Sequence, residues 1–167
     1  MAISKKVEQA MNAQLGFELR SAYAYLAMSA FCEEKSLPGI AHWLRAQAKE
    51  ELDHVMKFYN FILDRGGRVA FADLGKPKSD FTSLTEVFKE SLENERAVTR
   101  AINQLYTLTS KEQDYASQAF LNWFVTEQVE EEKTVESIIE AIKRIGERGD
   151  ALYTLDKDLG SRGLAEA

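Results

Sequence analysis

Cysteine is almost missing from this chain: Cys32 stands alone among 167 residues. That excludes an internal disulfide framework and any metal cluster held by several thiolates. Histidine is nearly as scarce. With only His42 and His54 present, a metal site here must draw most of its ligands from oxygen. Proline occurs twice, at Pro38 and Pro77, and both fall between long periodic segments, so little of the chain is barred from helix. No run approaches the roughly 18 apolar residues that a membrane-spanning helix needs. The opening stretch MAISKKVEQAMNAQ lacks the apolar centre of a secretory signal. The expectation is a reduced, cytoplasmic protein with no membrane partner. Basic residues are outnumbered, 21 against 27 acidic for a net charge of −6. No clustered basic face offers itself to nucleic acid.

What is present is an ordinary globular balance, 45% hydrophobic and 29% charged, which argues against disorder and for one domain with a sizeable core over 1–167. Apolar residues recur at spacings of three and four, which predicts an all-α chain with helices at about 5–34, 38–65, 82–109 and 111–145 and a short fifth at 149–159. Pro38 suits the first turn of the second helix. Ser110 is the expected N-cap of the fourth, and Gly66-Gly67 and Gly146 are stop signals for the second and fourth. The first and second helices, and the third and fourth, are joined so closely that each pair must be an antiparallel hairpin. The segment from Gly66 to Phe81 is 16 residues long. Extended, it covers about 50 Å, against about 42 Å for a 28-residue helix. It can run the length of a bundle and leave the second and third helices parallel. The expected fold is a four-helix bundle with one long crossover.

Each apolar stripe is interrupted by polar residues at one height. The first helix reads Val7, Met11, Leu15, Glu18, Ala22, Tyr25, and the second reads Ile40, Leu44, Gln47, Glu51, His54, Phe58. The third reads Leu84, Phe88, Ser91, Glu95, Val98, Ile102, and the fourth reads Leu121, Phe124, Gln128, Glu131, Val135, Ile138. At 1.5 Å per residue the acids, the histidine and Gln128 all fall roughly 20–30 Å from a turn, near the middle of the bundle. A second regularity lies in the spacing. Glu18 to Glu95, Glu51 to Gln128 and His54 to Glu131 are each 77 positions apart, and Glu50 to Glu127 and Leu44 to Leu121 obey the same offset. The chain reads as a duplicated helical hairpin.

Several carboxylates packed into an apolar interior repel one another and lose hydration, costing several kcal/mol per charge. Cations are the efficient neutraliser. Carboxylates with one imidazole suit iron or manganese better than a thiol-seeking metal, and the i, i+3 spacing of Glu51 and His54 puts both on one helix face. Two halves give two metal positions, bridged most naturally by Glu51. Taken singly, any one of these glutamates is a helix-flank residue reaching water. As a set at one level they point to a metal. Tyr25 is either a core tyrosine or a hydrogen-bond donor and electron source beside the metals. Trp43, Trp123, Met11, Met28 and Met56 read as core or interface packing, and His42 as a surface or interface residue. In the acidic run 130–132, Glu131 lies on the stripe, Glu130 at its edge, and Glu132 outside.

The pattern Glu18, Tyr25, Glu50-Glu51-x-x-His54, Glu95, Glu127-Gln128-x-x-Glu131 resembles that of the bacterial non-haem ferritins, and the resemblance runs to the terminal segment LYTLDKDLG at 152–160. This donor pattern is the one known for ferritin-like di-iron bundles. The resemblance implies a ferroxidase centre in which Glu18, Glu51 and His54 hold one iron and Glu51, Glu95 and Glu131 the other, with Gln128 nearby. It implies a third iron position from Glu50, Glu127 and Glu130, oxidation of ferrous iron by O2 or H2O2, and a ferric mineral in a homo-oligomeric shell of 24 subunits with the fifth helix lining channels at the fourfold axes. Relatives separate by departures. Bacterioferritins carry E-x-x-H in both halves and a haem-ligating methionine after the first glutamate, where this chain has Gln128-x-x-Glu131 and Leu52. No haem is therefore expected. Rubrerythrin-like peroxidases add a cysteine-ligated iron domain that Cys32 cannot supply, and animal heavy chains lack a glutamate at the place of Glu131. Two rival classes stay open from the residues: a metal-free structural bundle, and a peroxide-consuming or manganese enzyme without storage.

Overall fold

In the computed structural model, which describes residues 2–163, five helices follow one another: α1 Lys5–Glu34, α2 Pro38–Asp64, α3 Leu84–Lys111, α4 Tyr115–Ile145 and α5 Gly149–Gly160. No strand occurs among the described residues. Helix starts are set where a side chain can take a free amide. Ser4 Oγ accepts from Val7 N at 3.3 Å, and Ser83 Oγ accepts from Glu86 N at 3.1 Å. Pro38, with φ already fixed, opens α2.

Three helix ends are closed by one device, a residue in the left-handed region whose neighbours fold back onto the last carbonyls. After α1, Ser36 N donates to Glu33 O and Leu37 N to Cys32 O, both at 3.0 Å. After α2, Gly66 N donates to Leu63 O and Gly67 N to Ile62 O, both at 2.9 Å. After α3, Gln113 N donates to Ser110 O at 3.1 Å and Asp114 N to Thr109 O at 2.9 Å. Only the middle one uses glycine: Ser36 has φ 57° and Gln113 φ 55°. Ser36 and Gln113 stand 77 positions apart, so the internal repeat extends to the turn of each hairpin.

That device moves a boundary. Ser110 is not the N-cap of the fourth helix; it lies in the last turn of α3, and Asp114 takes the role, accepting from Ser117 N at 3.1 Å. The left-handed Gln113 makes α4 start four residues later than expected, and α3 itself starts two residues later than 82. The fifth helix falls where the periodicity puts it, ending at Gly160.

α1 packs most closely on α2 and α3 on α4, while α3 also packs on α1 and α5 on α2. The crossover is pinned at both ends of α1. Asn12 Nδ2 donates to Arg68 O at 2.9 Å and Asn12 Oδ1 accepts from Ala70 N at 2.7 Å, whereas the Phe81 ring meets Phe31 at 5.3 Å. Asn12 and Phe31 are about 28 Å apart along α1, so the segment spans the bundle and α2 and α3 run parallel. Two separate apolar clusters fill the interior. One contains Met28, Ile40, Leu44, Phe88 and Ile138; the other contains Val7, Met11, Phe58, Ile102 and Leu121. Each fully buried Leu, Ile or Phe contributes about 1.5–3 kcal/mol, and the bundle rests on these two blocks. What separates them is the polar layer.

Candidate metal centre

All six inward polar residues of the repeat are buried, Glu18 and Glu95 completely. The hairpins bring them together because each sits near mid-helix and each helix is aligned with its neighbour by the turns described above. Glu18 Oε1 accepts from Gln14 Nε2 at 2.9 Å. Glu18 Oε2 is buried and accepts no hydrogen bond from the described residues, facing His54 Nδ1 at 3.9 Å. His54 Nδ1 also lies 3.2 Å from Glu51 Oε2. One ligand atom from each of Glu18, Glu51 and His54 falls within 4.8 Å of the others, a spacing that a single cation can close. Trp123 and Phe124 hold the imidazole ring edge-on, at 5.3 and 5.7 Å.

A second group forms from His54, Glu127 and Glu131, again with ligand atoms within 4.8 Å. Glu131 Oε2 accepts from Gln47 Nε2 at 2.9 Å. Glu95 stands outside both groups. Its Oε1 accepts from the Tyr25 hydroxyl, which also touches Ser91 Oγ at 2.9 Å, and its Oε2 accepts from Gln128 Nε2 at 3.2 Å. Among the described residues, Glu50, Glu127 and Glu130 do not converge on one cation-sized space. Glu127 turns to His54 and Glu131, Glu130 is exposed, and Glu50 Oε2 accepts from Arg162 Nη2 at 2.6 Å. Glu130 and Glu132 exchange the places expected of them: Glu132 is the half-buried one, accepting from Thr99 Oγ1 at 2.5 Å. Trp123 and Met56 are surface residues in this chain, and Trp43 is core.

The electrostatics are those of a layer waiting for positive charge. Burial, then the neighbouring Glu51 charge, raises Glu18 well above the usual carboxylate range. Burial and the Glu95 charge raise Glu51 likewise. Glu95 is pushed up to about 6 by burial, against the hydrogen bonds from Tyr25 and Gln128. Glu131 is pushed up to about 7 by burial and the Glu95 charge, against the bond from Gln47. Burial and Glu95 hold the Tyr25 hydroxyl protonated well beyond its ordinary range, which keeps it a donor. A bound cation would reverse the cost for every one of these acids. The donor set is carboxylate oxygen with one imidazole, with open valences on Glu18. It fits a hard or borderline divalent ion.

Three participants lay outside the sequence reading of the site. Gln14 and Gln47 each precede a key glutamate by four residues, the spacing that puts them one turn away on the same face; Gln47 already stood on the stripe of the second helix without a role, and the same spacing could have found Gln14. Arg162 had no such signal, because it arrives from beyond α5.

Comparison with known proteins places the chain in context. The family model for the ferritin-like domain matches residues 8–145. The bacterial non-heme ferritin of Staphylococcus aureus is 44% identical over 164 residues, covering 98% of this chain and 99% of that protein, and that of Staphylococcus haemolyticus is 42% identical over the same span. Among solved structures, a closed form of Archaeoglobus fulgidus ferritin made by site-directed mutagenesis superposes with a TM-score of 0.96 at 40% identity, covering 98% of this chain and all of that one. The open-pore ferritin of the same archaeon gives 0.95 at 40% identity, covering 97% of this chain and 100% of that one.

Proposed function

The chain belongs to the ferritin family, and from that premise we propose that it stores iron, oxidising ferrous ions at the buried carboxylate–histidine layer and depositing the ferric product as a hydrated oxide within a hollow shell of like subunits. The observation that carries this reading is Glu18 Oε2, a buried acid oxygen with no donor, beside Glu51 and the Nδ1 of His54. Uncompensated, it would cost several kcal/mol. A ferrous ion supplies the missing charge.

Iron is substrate and cargo here. Glu18, Glu51 and His54 take one ferrous ion, and Glu131 with Glu95 takes the second, Glu51 lying between. Each ion gives up one electron, so a pair supplies the two electrons that, with two protons, reduce O2 to H2O2 or one H2O2 to two waters. Fixing two ions side by side lets the oxidant take both electrons together. Tyr25 and Gln128 hold the Glu95 carboxylate from opposite oxygens, leaving its lone pairs aimed. Glu127, sharing the second group with His54 and Glu131, begins an acidic path toward Glu50 and Glu130, along which a third ion can leave. Turnover beyond two ions per chain requires the ferric product to leave these ligands for the mineral. Leu52 and the absence of a second E-x-x-H support a haem-free chain.

Anaerobic addition of ferrous iron to the metal-free protein, followed by air, tests the reading. Near-ultraviolet absorbance should rise fast and continue well beyond two irons per chain, in a particle eluting at several hundred kilodaltons. Oxidation that stops at two irons in a small oligomer would instead mark a di-iron enzyme without storage.

A further inference from the structure

The segment after α5 turns back across α2, and its cationic side chain ends at the rim of the acidic layer. Arg162 donates from Nη2 to Glu50 Oε2 at 2.6 Å and from Nη1 to Gln47 Oε1. Its guanidinium carbon lies 5.1 Å from the Trp43 ring centroid, and its carbonyl oxygen meets His42 Nε2 at 2.9 Å. One face of α2 therefore grips a single arginine through Trp43, Gln47 and Glu50, which recur at helical spacing. Gln47 in turn donates to Glu131 Oε2 at 2.9 Å. A continuous chain of hydrogen bonds thus joins the tail to a buried acid of the metal centre.

We propose that Arg162 is a tethered cation which occupies the space in front of Glu50 in the metal-free protein and is displaced by a metal ion arriving there, so that the tail sets how firmly this outer position holds iron. The proposal rests on the reading of Glu50 as a metal ligand. A guanidinium and a divalent ion seek the same carboxylate oxygen and repel each other, so they cannot share it. The two side chains are 26% and 28% exposed, and the contest is screened less than on an open surface. Arginine suits the task where lysine would not. Its planar fork reaches Gln47 and Glu50 with one head while its face lies on an indole. Linkage makes the effect reciprocal: whatever Arg162 takes from metal affinity, the metal takes from the docking of the tail. Weak holding at the exit is what a transit position needs, because iron must move on.

The test uses zinc, which carries no redox chemistry, titrated into the assembled metal-free protein with Trp123→Phe as the common background of every variant compared, the parent included, because Trp123 packs on His54. Trp43 is then the sole indole of a chain that has two, and it reports the guanidinium directly, while calorimetry counts zinc. Zinc should shift Trp43 emission saturably in the parent. Arg162→Gln should show the shifted emission before any zinc is added, and should bind zinc at the Glu50-dependent position about fivefold more tightly. Arg162→Lys, keeping charge without fork or stacking, should fall between. Glu50→Gln should abolish that position in every background. Parental zinc affinity in Arg162→Gln, with Glu50→Gln still losing the position, would overturn the displacement and leave Glu50 a ligand. A zinc-induced emission shift that persists in Arg162→Gln would overturn it too. Unchanged zinc binding in Glu50→Gln would remove the ligand assignment and the proposal with it.

Discussion

Glu18 shows how a single residue can be worse for the fold than for the function. Its carboxyl group is completely buried, one oxygen lacks a donor, and burial with the neighbouring Glu51 charge raises its pKa. Glu18→Gln keeps the shape and removes the acid. The metal-free variant should melt a few degrees higher than the parent, since about 1 kcal/mol moves the melting point of a domain this size by 2–4 °C. Its iron oxidation should be slower by about tenfold or more. A variant that melts lower and oxidises at the parental rate would remove Glu18 from the site. Glu131 gives the same physics a pH dependence. Its pKa rises from 4.5 to about 7 on folding, so the native state binds the proton that the unfolded chain has already lost. The penalty is absent below about 4.5, accumulates as pH rises through that window, and is complete above about 7. Glu95, raised to about 6, adds in the same direction. Metal-free Glu131→Gln should therefore gain melting temperature over the parent as pH rises from about 4.5 to about 7, with none of that gain below this window and no further gain above it; a constant difference would contradict the shift. These acids were legible in the sequence because charged residues stand in apolar stripes at one height. The turn of Glu127 toward His54, and the arrival of Arg162, were not. Both depend on rotamers and on where a distant helix docks, which no local spacing encodes.

At the scale of elements, the hairpins and the crossover followed from punctuation: Pro38, Gly66-Gly67 and a connection long enough to span the bundle. The start of α4 did not. Ser110 and Asp114 are both good N-caps, and the choice between them was made by Gln113 in a left-handed conformation, which a glutamine does not advertise. The docking of α5 was equally hidden, yet it is the element that completes α2. The first turn of α2 has no cap of its own, and Asp156, 116 residues further on, supplies one by accepting from Ile40 N at 2.8 Å. The helices can come that close only because Gly39 and Gly160 have no side chains. A Cβ on Gly39 would lie 1.8 Å from the Asp156 carbonyl oxygen, and one on Gly160 2.7 Å from Gly39 Cα. Since the obstacle is backbone, no rotamer change relieves it, and overpacking of this kind costs about 1–3 kcal/mol. In Gly39→Ala, α5 should lift away. Hydrogen exchange should show lost protection over 150–160 and at Ile40, with the other α1–α4 amides as protected as in the parent. Retained protection in α5 would mean that the chain yields elsewhere and that the contact does not hold the helix.

For the whole molecule, the bundle is two apolar blocks held apart by a layer of buried acids and one histidine, and this division has a consequence for assembly. The inner faces of the helices are used by the two blocks and the layer, so among the described residues several large apolar side chains are left about half exposed outside. Leu52, Met56 and Leu63 are 45%, 50% and 46% exposed and recur on α2 at spacings of four and seven, the outer face of the helix that carries Glu51 and His54 within. Tyr23 and Leu26 are exposed to the same degree on the adjacent α1. Large apolar surface of this kind marks an interface between chains. If the subunits close into a shell through it, two charges placed there should break the assembly without touching the fold. Leu52→Glu/Met56→Glu should elute as a far smaller particle, with unchanged helical circular dichroism. Because Glu18, Glu51 and His54 lie inside one chain, the separated subunits should still oxidise the first two ferrous ions. What they should lose is everything beyond, with ferric oxide precipitating instead of staying in solution. A double variant that still elutes at several hundred kilodaltons would move the interface to another face, and one that kept a soluble mineral as a small particle would separate storage from the shell altogether.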